Sequence, residues 1–578
     1  MSLLAGVFSF TESVSAYADA VHAICASLSR GGDPIETFQD DRFFVAKLDF
    51  GAFGDRAFRV GGSVTAVTGE PFLNPTAARP SRANDADELG PELDLGNLSV
   101  LRRCQGSFSV CHYNTASRLF LLATDRVGIR AVYFCVDASA IFFSSNLRVL
   151  EAIPAVPKRA DLRGITESIA LGYPLGDRTP FADIRVLRGG EVLRWQDSDL
   201  RIVNYFHWRD IAEAGLSREE MLDRAYETFL AAVACRSARS EQANSFLSGG
   251  LDTRVTVAAL IALGKTVDTL TYEIPGSKDA LYSRRLAEHL GTRHNARSFD
   301  VTKGHRKHMA SARGQIRYPP GADSRFPSLI FSGDGGGNVG GFVSITDRTT
   351  EAIRRGDLDT VVRDQAGQWP PRRILRSKVR EFVANVVRQG VRAEIMRGRT
   401  RDPAWDFRAY LMDNSQRRHV HYLYEDLDVN RTELLLPFFD GRFLELIASG
   451  KFEWFMYHRF HVNWLERFPG AITSIPWQSY AGHVACPLPD AQEGHESDAF
   501  STRDEFMRSA ARFRRCRASV LGTSFPAQVL RRTPMMAALL LHGLRRGNYG
   551  HLFGICAEYQ DWLIRSRGKM VLTPTPVM

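Results

Sequence analysis

Hydrophobic residues in positions 1 to about 205 come in short runs broken by turn residues, a pattern that predicts many brief strands. The run L-L-A-G-V-F at 3–8 predicts an opening strand, and the polar, Pro/Gly/Asp-rich stretch 75–94 predicts an exposed loop. At 217, S-R-E-E has the spacing of a capping box and predicts a helix start. The periodicity then changes. Residues 254–263 (R-V-T-V-A-A-L-I-A-L) predict a largely buried helix stopped by Gly264, 267–274 a strand, and 279–290 a second helix ended by Gly291. Such a β-α-β-α unit starts a parallel sheet. Beyond about 350 the pattern is helical, with no further strand series, repeat or low-complexity tract.

A chain of 578 residues exceeds what one hydrophobic core supports, so several domains are expected. Its 44% hydrophobic and 24% charged residues are ordinary for a globular protein. No apolar run reaches the roughly 18 residues needed to span a bilayer. The first residues lack a basic front and carry Glu12, which favours a strand over a signal peptide. Eight cysteines without a C-x-x-C spacing fit reduced thiols in a cytoplasmic protein. The net charge of +9 is concentrated late, in 372–399, 508–517, 531–532 and 545–546. Solvated helix faces account for such runs, and no stacking-aromatic pattern or zinc spacing points to nucleic acid.

The chemistry is concentrated in Ser245–Arg254, S-F-L-S-G-G-L-D-T-R, which puts a glycine turn, an acid and a hydroxyl between a strand and a helix. Backbone N–H groups of Ser248, Gly249 and Gly250 can face an anion, while Asp252 offers a carboxylate for Mg²⁺ and Thr253 a hydroxyl. Two other glycine motifs are weaker. Gly264-Lys265-Thr266 leaves a helix for a strand, the wrong polarity for a Walker loop, and Gly335–Gly340 matches G-x-G-x-x-G before a poor helix opening.

The S-G-G-x-D-T string resembles the PP-loop of the asparagine synthetase family, and other segments resemble that family in order. They are R-G-G-D (30–33), G-E-P-F-L-N (69–74), A-T-D-R-V-G-I-R-A-V-Y-F (123–134), T-P-F-A-D-I-R-V-L-R-G-G (179–190), S-K-D-A-L-Y-S-R-R-L-A-E-H-L-G (277–291), S-G-D-G-G-G-N (332–338) and L-P-F-F-D (436–440). The resemblance implies a mixed α/β and α+β chain. An Ntn-type α-β-β-α sandwich, a glutaminase-like (type 2 amidotransferase) domain over 1–205, precedes a PP-loop, adenine nucleotide α-hydrolase-like parallel-sheet domain over 217–490. A basic helical extension follows over 491–578.

Carried over residue by residue, the resemblance implies an ATP and pyrophosphate site from Leu247, Ser248, Gly249, Gly250, Asp252, Thr253, Tyr272, Asp279, Ser332 and Gly333. It implies Mg²⁺ at Asp252 and Asp334, with Asp334 also near the attacking amine as base or orienting group. Arg284 and Arg285 read equally well as solvent-facing. Gly337 stands where the family has a second metal-binding aspartate, and Asn338 where it has a glutamate. The family's lysine is missing from 454–468, leaving Arg459 as the nearest cation, with His458 and His461 equally explicable as packing.

Ser2 replaces the family's catalytic cysteine, and a serine hydroxyl is far less ionised than a thiol near neutral pH. Ser2, Gly69 and Glu70 therefore form a degenerate glutaminase site, and the first domain is expected to serve as scaffold. The implied activity is that of an ATP-dependent carbon-nitrogen ligase. A carboxylate is adenylated, AMP and pyrophosphate leave, and nitrogen comes from ammonia or a substrate amine. Intramolecular closure, as in β-lactam synthetases and lasso-peptide cyclases, and a catalytically inactive nucleotide-binding protein are the alternatives. ATP and Mg²⁺ are the expected cofactors, and a small-molecule or peptide carboxylate and an amine or ammonia donor the expected partners. A homodimer is left open; neither a membrane nor nucleic acid is expected as a partner.

Overall fold

Two antiparallel sheets packed face to face form the N-terminal part of this computed structural model, which describes residues 2–54, 57–75, 80–273, 278–298, 328–337, 347–366, 369, 371–398, 400, 402–430, 432–477 and 510–573. In the first sheet Ser2–Ser9 lies between Phe43–Asp49 and Ala140–Ser144, with Ile35–Gln39 and Tyr133–Val136 outside them. In the second the order is Asp199–Asn204, Glu191–Gln196, Phe120–Thr124, Phe108–Asn114, Ser63–Gly69 and Phe58–Val60.

Alternate side chains of both sheets point inward. Leu4, Phe8, Phe43, Val45, Val64, Cys111, Tyr113, Phe120 and Phe143 make one buried cluster, with the Phe8 and Phe120 rings stacked at 4.6 Å. Helix Ala18–Leu28 covers the first sheet and Arg82–Asp94 the second, completing an α-β-β-α sandwich.

The second helix corrects the expectation of an exposed loop over 75–94. Ser81 caps it by accepting from the Asn84 N–H, and Arg82, Asp85, Ala86, Leu89, Gly90 and Leu93 are buried at helical spacing. Burial of that stripe outweighs the low helix propensity of its glycine, proline and aspartates.

The capping box at Ser217 and Glu220 is present and starts the helix Arg218–Ser237. The parallel sheet that follows has the order Arg293–Ser298, Thr266–Glu273, Gln242–Phe246, Ser328–Phe331, Thr432–Leu435, with every pair parallel. Strand Thr432–Leu435 lies beyond 350, where no further strand series was expected. Four residues running into Pro437 are too few to show a period in sequence.

The sandwich and the parallel-sheet part are joined through ion pairs whose carboxylates are buried. Arg30 meets Asp426 and Asp428 at 2.7 Å, Arg148 meets Asp428 at 3.0 Å, Arg239 meets Glu70 at 2.6 Å, and Arg130 pairs with Glu433. The Asp428 and Glu433 side chains are fully buried.

Residues 156–186, 347–410 and 499–578 form a second compact unit. The basic C-terminal stretch, read from sequence as an extension over 491–578, thus shares a core with earlier segments. Ala160, Leu162, Ile165, Leu375, Val383, Val520, Met535, Phe553 and Tyr559 are buried together there, and strand Ala160–Asp161 pairs in parallel with Met570–Val571. Among the described residues no helix is long and apolar enough to cross a membrane.

Candidate active site

The strand order reverses direction between Gln242–Phe246 and Ser328–Phe331, and in open α/β sheets ligands bind outside the carboxyl ends of the strands at such a point. The S-G-G-L-D-T loop leaves the first of these strands and S-G-D-G-G the second, so both motifs meet at the reversal. Helix Asp252–Ala262 starts directly after the first loop.

Within that loop the N–H groups already have anionic or hydroxyl acceptors. Ser248 N–H donates to Thr253 Oγ1 at 2.8 Å, Gly249 N–H to Asp279 Oδ1 at 2.5 Å and Gly250 N–H to Ser248 Oγ at 3.2 Å. Asp279, from the start of helix Lys278–Leu290, thus puts a carboxylate oxygen on Gly249. A phosphate oxygen is a chemically equivalent occupant of that position, which makes Asp279 a stand-in for an anion.

Arg254 stiffens the arrangement. Its guanidinium is fully buried and donates to the carbonyls of Ile472, Ile475 and Pro476 at 2.8, 2.6 and 3.1 Å.

The second loop is shaped by what glycine leaves out. Gly335 has φ +94°, a left-handed conformation that disfavours a side chain, and a Cβ there would also sit 2.7 Å from the Phe439 ring. A Cβ on Gly336 would lie 2.5 Å from Asp252 Cγ, and one on Gly333 2.7 Å from the Thr253 nitrogen. The two loops therefore touch through backbone.

Ser332 Oγ donates to Asp334 Oδ2 at 2.6 Å and fixes that carboxylate. Burial and the negative charge of Asp334 push the Asp252 pKa up to about 7, partly offset by the Gly337 N–H. The Asp252 side chain keeps 36% exposure, which leaves the carboxylate reachable from solvent.

Two carboxylates that repel one another suit a divalent cation, and no cluster of three or more His, Cys, Asp or Glu is found among the described residues. That donor set fits Mg²⁺, which binds through one or two carboxylates plus substrate phosphates.

His461 is the residue that sequence reasoning passed over. It is fully buried, its Nδ1 stands 3.7 Å from Asp252 Oδ1, and neither ring nitrogen has a hydrogen-bond partner among the described residues. Burial and nearby Arg254 hold its pKa down to about 3, so it is neutral. A histidine in the aromatic run 454–468 carries no motif, so nothing in the sequence distinguished it from packing.

Arg459 begins the same helix, Arg459–Leu465, as an exposed residue whose carbonyl accepts from Arg218. Leu247 is buried in the sheet and offers only its backbone, and Tyr272 packs its ring 6.3 Å from Phe246. Asn338 lies outside the described residues, as does the stretch 478–490.

In the sandwich, Ser2 is buried opposite Asp49. Its Oγ accepts from the Gly69 N–H and from Arg82, both at 3.3 Å. Asp49 is bridged by Lys47 at 3.1 Å and Arg82 at 3.0 Å, with all three side chains buried. Glu70, also buried, is taken by Arg239. Ser2 and Gly69 are thus brought together, while Glu70 is committed to an ion pair.

Residues 93–206 match the family model described as a glutamine amidotransferase domain, and residues 224–334 match the one described as asparagine synthase. Both parts of the chain thus resemble the two-domain pattern of asparagine synthetases. It is 26% identical over 157 residues to asparagine synthetase (glutamine-hydrolyzing) 3 of Bacillus subtilis (strain 168), covering 26% of this chain and 25% of that protein. It is 20% identical over 267 residues to a Methanocaldococcus jannaschii protein provisionally named asparagine synthetase (glutamine-hydrolyzing) 2, covering 43% and 52%. The matches thus span a quarter to about half the length of these family members.

Two solved structures also align at 10% identity. They are the allosteric regulatory enzyme of purine biosynthesis, with TM-score 0.24 over 57% of this chain and 74% of that one, and the B. subtilis glutamine phosphoribosylpyrophosphate amidotransferase, with TM-score 0.22 over 59% and 77%. Those likenesses are too slight to add to the fold described above.

Proposed function

We propose that this chain is a member of the asparagine synthetase family and an ATP-dependent amide-forming ligase that adenylates a carboxylate and releases AMP and pyrophosphate. The observation that carries the reading is the meeting of two loops at the sheet's reversal point, with Asp252 beside Asp334 and an anion position on the Gly249 N–H.

Ser248, Gly249, Gly250 and Thr253 hold the departing pyrophosphate through fixed N–H and hydroxyl donors, once Asp279 yields its place on Gly249. Preset donors of this kind stabilise developing charge without reorganising. Mg²⁺ held by Asp252 and Asp334 supplies charge neutralisation of the phosphates. Asp334, held by Ser332, orients the incoming amine. Arg459 is the candidate cation on the approach.

Nitrogen comes from free ammonia or a substrate amine, and Ser2 is the reason. Its hydroxyl serves as acceptor for Gly69 and Arg82, and the neighbouring Lys47, Asp49 and Arg82 side chains are tied to one another in a buried cluster.

The deciding experiment is chromatography of nucleotide products after incubating the full chain with MgATP and a fractionated metabolite and peptide extract, beside Asp252→Ala. AMP with pyrophosphate from the wild type and neither from a variant that melts normally is the expected result. No AMP from any fraction, with no MgATP binding by calorimetry, would replace this reading with that of a protein that kept the fold and lost the reaction.

A further inference from the structure

Helix Arg532–Gly543, in the second compact unit, is apolar on both sides. Its inner face puts Met535, Ala538 and Leu539 into that unit's core. Its outer face carries Met536, Leu540 and, just past the end, Leu544, which are 47, 64 and 60% exposed. These three recur every four residues, so they form a single stripe. Surface helices ordinarily turn polar residues outward, and an uninterrupted apolar stripe marks an interaction surface.

The charge around the stripe says what covers it. Residues 510–550 contain eight arginines and no aspartate or glutamate. Arg531 and Arg532 stand at one end of the stripe and Arg545 and Arg546 at the other. Arg514, Arg515 and Arg517 line the exposed side of the neighbouring helix Ala510–Leu521, which ends in Leu521, 44% exposed. Among the described residues, Arg514, Arg515, Arg517, Arg531, Arg545 and Arg546 make no ion pair.

A second copy of the chain is a poor occupant, because a twofold contact would set these arginines against their own equivalents. Nucleic acid matches the arginines and has nothing to offer the leucines. An anionic bilayer surface satisfies both. Its phosphates meet the arginines, and the boundary between headgroups and acyl chains accepts shallowly inserted apolar side chains.

We propose that this face docks the protein on an anionic lipid surface, with Met536, Leu540 and Leu544 inserted and the flanking arginines at headgroup level. The expectation of no membrane partner rested on the absence of a spanning run, and a docking surface is outside what that criterion measures. The proposal is independent of the ligase reading, since none of these residues lies in the candidate active site.

The test is sedimentation of the full chain with vesicles of phosphatidylcholine alone and of phosphatidylcholine with an equal amount of phosphatidylglycerol. Binding to the mixed vesicles only, lost at high salt, is expected. Leu540→Ser with Leu544→Ser should weaken it by about tenfold or more, as should Arg545→Gln with Arg546→Gln. Both pairs are exposed, so thermal melting should stay unchanged.

Absence of binding to the mixed vesicles overturns the proposal. So does binding that the leucine pair leaves unchanged, which would indicate unspecific attraction of arginine for any anion. RNA retention equal in the wild type and the leucine pair, without vesicle binding, would assign the face to nucleic acid instead.

Discussion

Replacing Gly336 by alanine adds one methyl group where the two active-site loops touch. The new Cβ would lie 2.5 Å from Asp252 Cγ and 2.6 Å from both Asp252 Cβ and Oδ1. Carbon atoms in comfortable contact stand about 3.5–4.0 Å apart, so something must move by about 1 Å. Asp252 cannot yield freely. It opens a helix whose next residue, Thr253, is tied to Ser248 and whose Arg254 is anchored to three carbonyls. Gly336 cannot yield freely either, because Gly335 before it is pressed against Phe439. Overpacking of this kind costs about 1–3 kcal/mol of stability. Displacing the carboxylate proposed to hold the metal by about 1 Å should lower turnover by about 10²-fold. MgATP affinity by calorimetry, AMP release and a thermal melt together read the outcome. A Gly336→Ala protein with wild-type MgATP affinity and AMP release would refute the claim that Asp252 is held against this loop and used there.

Gly554→Ala is the matching control. In helix Gly550–Arg565 its Cβ would meet nothing within 4 Å, so stability should rise by about 0.5–1 kcal/mol, and a lower melting temperature would contradict that packing. Ser2→Ala should leave ligase activity intact, and Ser2→Cys should not produce efficient glutamine hydrolysis, because Arg82 and Asp49 crowd the position; ammonia release from glutamine measures both. Burial pushes the Asp85 pKa up to about 7 against the N–H groups of Leu73 and Phe72 that favour its ionised form. The folded state thus holds a proton the unfolded chain has released, and the stability from Asp85 is complete below about pH 4 and lost as pH rises to about 7, by at most about 4 kcal/mol. Melts of wild type and Asp85→Asn at pH 5 and pH 8 should show the wild type losing ground at the higher pH, and parallel behaviour would refute the assignment.

The parallel sheet was legible because glycine turns and caps punctuate it. Ser248–Thr253, Gly264 and Gly291 each mark a boundary that backbone geometry requires. Helix Arg82–Asp94 was hidden because its apolar positions are separated by residues that individually favour turns, and only burial against the flanking strands Phe58–Val60 and Ser63–Gly69 selects the helix. Composition could suggest that Ser248, Gly249 and Gly250 face an anion. That the acceptor on Gly249 is Asp279, 30 residues on, depends on how the next helix packs. His461 could be read from sequence only as a packing residue, since its distance from Asp252 is set by the fold. The grouping of 156–186 with the C-terminal stretch likewise rests on pairing between Ala160 and Met570, which no local pattern announces.

The ion pairs that join the sandwich to the parallel-sheet part constrain which of its arginines can be truncated. Asp428 and Glu433 belong to the parallel-sheet half and are fully buried, yet their cations Arg30, Arg148 and Arg130 come from the sandwich. Truncating Arg130, or Arg30 together with Arg148, would strand a buried carboxylate, and removing one partner of such a pair costs about 3–5 kcal/mol. Two such losses approach the whole stability of an ordinary domain. The sandwich therefore supplies counter-charges to its neighbour whatever chemistry takes place at Ser2.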